Sequence, residues 1–224
     1  MSNHPLKHSE IKNLKAKIAW KKKVIEQIPL LPPPMLIVSE GTKTEPNYIN
    51  GIVSKINRRY ADYTSRDAII KVIGTGRNTR GLLEYSKKYV ENNYPEARVV
   101  WLMFDKDDFP YDDFDNTINS ASSIKGDTIY KTAWSNECIE LWFILHFDYL
   151  QSANDRTYYQ DRLSYLLGIK YEKSCSNIYD LLEDKTSIAI RNAKSLIDNT
   201  LPPSRNKPAT KVYELIEELQ DYLK

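Results

Sequence analysis

Three acids fall within four residues in the stretch FDKDDFP (104–110), where Asp105, Asp107 and Asp108 follow directly on the apolar run VVWLMF. One acid would make a turn; three carry a mutual repulsion that a bound cation would relieve. Asp105 and Asp107, one residue apart on a loop leaving a strand, can point into the same space, and their oxygens suit a hard ion such as Mg²⁺ or Mn²⁺. The alternative is that they cap the next helix or lie in water. A fourth acid, Glu40, ends the apolar run MLIVS within SEGTKTEP (39–46). Gly41 permits a tight turn there, and a helix starting near Thr44 offers free backbone donors suited to a phosphate. Glu40 reads either as a metal ligand or general base beside that phosphate, or as a turn residue that merely ends a strand.

Glu140 lies in NECIELWFILHF (136–147), a segment apolar on nearly every side if helical and therefore buried. A carboxylate there is costly unless it is paired, protonated or bound to metal. A site role and a buried salt bridge are both open, and Glu137 and Asn136 lie one turn back. Lys43 and Lys106 are placed to steady a phosphate or to be solvated loop charges. The same choice holds for Arg77 and Arg80 in GTGRNTRG (74–81), where a G-x-G without the rest of a dinucleotide fingerprint is weak. His146 is the one histidine outside the amino-terminal arm and reads as a satisfied core residue. Cys138 and Cys175 form no metal or disulfide pattern.

These residues need elements to aim them. Short apolar runs at 35–39, 68–74, 98–104 and 128–134 read as strands. Helical patterns at 44–60, 79–93, 111–124 and 137–147 alternate with them, Thr44 serving as N-cap of the first. Strand and helix alternating four times predicts an α/β fold with a mainly parallel sheet covered on both faces. Beyond about residue 150 the pattern becomes helical, ending in ATKVYELIEELQDYL. In open sheets of this kind ligands bind beyond the carboxyl ends of the strands, where Glu40, Asp105 and Asp107 fall.

Residues 1–27 hold seven Lys against two Glu, while the rest of the 224-residue chain holds 25 basic and 28 acidic residues. A basic helical arm with Ile11, Leu14, Ile18 and Val24 near helical spacing is expected there, ended by LPPP (31–34). Such an arm presents a polyanion to a metal site or serves as a soluble tail. The expected organisation is an arm over 1–34, an α/β core over 35–150 and a helical region over 151–224 packed on it. No signal-peptide core and no apolar stretch approaching the roughly 20 residues of a membrane span occurs, so the expected location is the cytoplasm.

The blocks LIVSEGTKTEPNYI, VVWLMFDKDDFP, AWSNECIELWFILHF and RNKPATKVYELIEEL together resemble the RloB-like family of bacterial and archaeal proteins, which have a Toprim-like core. The resemblance spans about residues 35–220. It implies that Glu40, Asp105 and Asp107 hold Mg²⁺ or Mn²⁺ for phosphodiester chemistry on RNA, tRNA included, or on DNA. The family pattern has Pro where this chain has Glu137, so the further acid carried over is Glu140, with Glu137 a secondary candidate. It also implies a place in restriction or abortive infection beside an ATPase partner of the AAA or ABC type. Two functions stand open, a metal-dependent nuclease and a catalytically silent nucleic-acid- or nucleotide-binding subunit.

Overall fold

The computed structural model describes residues 9–17, 31–65, 68–106 and 111–224, the side chains of Tyr111 and Asp112 excepted. Asp107, Asp108, Ile18, Val24 and Lys21–Lys23 lie outside the described residues, so the expectations placed on them are not addressed. The chain divides into two compact units, Met1–Leu31 and Pro32–Lys224. Residues 9–17 of the first form a helix, α1.

The second unit is built on four parallel strands: β1 (Met35–Ser39), β2 (Ile70–Gly74), β3 (Val99–Asp105) and β4 (Ile129–Asn136). The order across the sheet is β2-β1-β3-β4, closed at the far edge by a short antiparallel strand, β5 (Ala209–Thr210). β1 and β3 are buried throughout, as unbroken runs of large apolar residues require of central parallel strands. Their side chains alternate between two cores. Met35, Ile37, Val99, Trp101 and Met103 face one, and Leu36, Val38, Val100, Leu102 and Phe104 the other. Truncating a residue such as Leu102 to Ala would cost about 2–5 kcal/mol.

Helices α3 (Thr79–Asn93) and α4 (Tyr111–Ser123) cover the second face, through Leu82, Leu83 and Phe114. The first face takes α2 (Thr44–Arg59), α5 (Glu140–Ile144), α6 (Arg156–Leu167), α7 (Ile178–Leu182), α8 (Thr186–Leu196) and α9 (Val212–Asp221). Tyr48, Ile49, Ile52, Val53 and Ile56 form the buried stripe of α2, and Leu215, Ile216 and Leu219 that of α9, all within one core. The α/β fold with a mainly parallel sheet is therefore as the sequence implies.

Three local expectations are corrected. The helix expected over 137–147 is helical only from Glu140 to Ile144. Ahead of it β4 runs on to Asn136, whose amide donates to the carbonyls of Pro203 (3.2 Å) and Ser204 (3.1 Å). After it the chain tightens, with His146 and Phe147 N–H donating to Phe143 and Ile144 three residues back. The last helix begins at Val212 rather than Ala209, because Ala209 and Thr210 pair with Asn136 and Ser135 to cover the edge of β4. Thr44 does not cap α2: Lys43 holds that position, and the Thr44 hydroxyl instead donates to the Lys173 carbonyl at 3.0 Å.

Candidate functional site

After β1 the chain crosses to β2 on one side, and β3 then returns to the other side of β1. A sheet whose order reverses in this way leaves a crevice at the carboxyl ends of the two diverging strands. Glu40 follows β1 and Asp105 ends β3, so both rim that crevice. The Glu40 N–H donates to the Met103 carbonyl at 2.9 Å, which fixes its backbone against β3.

A cavity of about 270 Å³ opens there, with Glu40, Glu45, Asp105 and Glu140 all in its wall. Glu40 accepts from the Thr79 hydroxyl at 3.4 Å. Burial first, and the neighbouring Glu45 charge second, push its carboxyl from 4.5 up to about 7 despite Thr79 and Arg156. Asp105 is 9% exposed. Burial, then the charges of Glu45 and Glu140, raise it well above the carboxylate range against the opposing Arg156 guanidinium and Ile139 N–H. Glu140, 1% exposed, opens α5 and accepts from the Tyr171 hydroxyl at 3.4 Å. The buried Cys138 thiol beside it is driven far above its ordinary range, mainly by burial, and acts as a small apolar group.

Glu45 is the acid that sequence reasoning missed. It lies in the first turn of α2 and is 6% exposed. Its carboxylate packs on Gly41 so closely that any side chain at that position would collide with Glu45 Oε2. The absent side chain at 41 thus makes room for a neighbouring carboxylate. The N–H groups of Glu45 and Gly41 donate to that carboxylate, yet burial and Glu140 still raise it.

Besides Lys43, two cations stand in the wall that were not nominated from the sequence. Arg156 is the first residue of α6, its Nη2 3.7 Å from Asp105 Oδ2. Lys173 comes from the loop between α6 and α7. That loop is laced to the head of α2, for besides the Thr44 bond the Asn47 amide donates to the Ser174 (3.2 Å) and Cys175 (3.3 Å) carbonyls.

Of the residues nominated from the sequence, Glu40, Gly41, Lys43, Asp105 and Glu140 meet in this cavity. Lys106 is buried, 6% exposed, its N–H on the Ser135 carbonyl at 2.9 Å, and is not part of the wall. Arg77 lies over the Tyr85 ring at 5.0 Å. Arg80 lines a different groove of about 440 Å³ between α3 and α4. Glu137 ion-pairs with Lys207 at 2.7 Å, away from the cavity. His146 is a satisfied core residue as expected. Its Nδ1 is 2.9 Å from the Trp142 carbonyl, and burial lowers it from 6.5 to about 4.

Glu40, Glu45 and Asp105, oxygen donors confined together and raised above their ordinary values, are of the kind that a divalent cation stabilises. Among the described residues, no three acid, histidine or cysteine side chains converge closely enough to enclose an ion. The oxygen-donor chemistry suits a hard divalent cation, while the described carboxylates do not close into a cage around one. Among the described residues no helix is long and apolar enough to cross a membrane.

The model of the RloB-like protein family matches residues 35–219, most of the chain, and the protein belongs to that family. No curated protein and no solved structure matches it.

Proposed function

We propose that this RloB-like protein is a divalent-metal-dependent nuclease that cleaves phosphodiester bonds of RNA, tRNA among them, or of DNA. One observation carries the reading: acids from the turn after β1 and from α2, β3 and α5 share one cavity at the sheet's crossover point. Glu40, Asp105 and Glu140 are the residues to hold Mg²⁺ or Mn²⁺ in a Toprim-like manner, and Glu45 joins them. The ion, when bound, would supply an activated water and stabilise the departing oxygen. The chain's own part is to place the carboxylates rigidly. β1 and β3 are pinned by parallel pairing on both sides, Thr79 orients Glu40, Tyr171 orients Glu140, and Gly41 seats Glu45. Action in phage or plasmid defence, in the cytoplasm and beside an ATPase, follows from the family resemblance and belongs to the proposal.

The absence of a closed metal cage among the described side chains favours one other reading, a silent nucleic-acid- or nucleotide-binding subunit of such a complex. A cleavage assay decides between them. Purified protein with Mg²⁺, and separately with Mn²⁺, is offered total tRNA, plasmid and single-stranded DNA, with Asp105→Ala/Asp107→Ala as control. Cleavage that the double variant loses supports the nuclease. Equal cleavage by the variant refutes the site, and no cleavage by the wild type, alone or with its ATPase, supports the silent subunit.

A further inference from the structure

An acid-lined cavity repels a nucleic acid unless cations in its wall offset the carboxylates. The basic residues that the Gly-rich loop after β2 places nearest in sequence do not serve, since Arg77 stacks on Tyr85 and Arg80 faces another groove. Besides Lys43 in the turn after β1, two cations of the cavity wall arrive from much later in the chain. We infer that Arg156 and Lys173 grip the phosphate backbone of the substrate and so set its register over the acids.

Arg156 has a half-open side chain, 36% exposed, in the cavity wall beside Asp105. Its Nη2 stands 3.7 Å from Asp105 Oδ2, and a guanidinium fork matches the spacing of phosphate oxygens. As the first residue of a helix it sits where a cation is disfavoured by the helix dipole, so its position is not explained by helix stability. Lys173 is exposed in the same wall, on a loop held by Thr44 and Asn47. Two cations that share a wall with four acids, from elements distant in sequence, are suited to holding one stretch of backbone. The anion's identity rests on the nuclease reading; the grip itself is tested without cleavage.

The test measures binding of fluorescein-labelled single-stranded RNA and DNA by anisotropy in EDTA across a salt series. Wild type is compared with Arg156→Ala, Lys173→Ala, the double variant, Arg156→Lys and Arg77→Ala/Arg80→Ala. Each lost phosphate contact should weaken binding about tenfold and flatten the salt slope by about 0.7. Arg156→Lys should keep the slope and recover part of the affinity, which a purely structural arginine would not do. An unchanged slope and affinity in the double variant overturns the inference, as does a loss confined to the Arg77→Ala/Arg80→Ala protein. The same proteins are then assayed for cleavage with Mg²⁺. A flattened slope with no wild-type cleavage, alone or with the ATPase, upholds the grip and sinks the nuclease. Cleavage with unchanged KM in the double variant does the reverse, and a wild type that binds neither probe sinks both.

Discussion

Replacing Glu40 by glutamine should make the metal-free protein more stable, by an amount that grows with pH. The glutamine keeps an oxygen for the Thr79 hydroxyl and removes the charge that faces Glu45. In the folded protein the Glu40 carboxyl titrates near 7 rather than 4.5, chiefly through burial. Below about pH 4.5 folded and unfolded chains both hold the proton, and the substitution changes little. Between 4.5 and about 7 the folded form retains a proton that the unfolded form releases, so wild-type stability falls as pH rises. At about 1.4 kcal/mol per pH unit the full cost is about 3.5 kcal/mol, and solvent screening of this partly open group reduces it to about 1–2 kcal/mol. For a folded unit of this size that is about 3–6 °C in Tm. Thermal unfolding in EDTA across the acid-to-neutral range reads it directly, and Mg²⁺ added at neutral pH should raise wild type and narrow the gap. A variant that melts at or below wild type at neutral pH would refute the idea of a cavity strained by its own charge. So would a gap that ignores pH.

Three further outcomes are expected. Gly41→Ala places a methyl where the Glu45 carboxylate now rests. That flexible side chain will swing aside, leaving Tm within a few degrees and cutting cleavage about 100-fold; unimpaired cleavage would remove Glu45 from the site. Glu137→Gln breaks only a partly exposed ion pair to Lys207, worth about 1 kcal/mol or less, and should leave cleavage unchanged. His146 should stay neutral well below the ordinary histidine range, its ring resonances moving in an NMR titration only as pH approaches about 4.

Much of this architecture is legible in the sequence because each element carries its own pattern. VVWLMF is too apolar for anything but a central strand, and the stripe Tyr48, Ile49, Ile52, Val53, Ile56 repeats as a helix must. What escaped depends on distant partners. Ala209 and Thr210 have no strand signal of their own and become one because the edge of β4 is open to them. Phe143 through Phe147 are buried or nearly so with or without a long helix, so burial alone could not fix where α5 ends. Glu45 looks like any acid in the first turn of a helix, where the dipole welcomes it. Arg156 joins the site through a contact across 51 residues with Asp105. Its one local signal was a positive charge at the wrong end of a helix.

The bond from Thr44 to the Lys173 carbonyl spans 129 residues of chain. Contacts of that reach form after local structure has condensed. Synthesis from the amino terminus places Glu40, Glu45, Asp105 and Glu140 in the chain before Arg156 and Lys173. The cavity wall is thus completed by a later part of the chain than the strands that carry its acids, and its closure waits on the folding of that part.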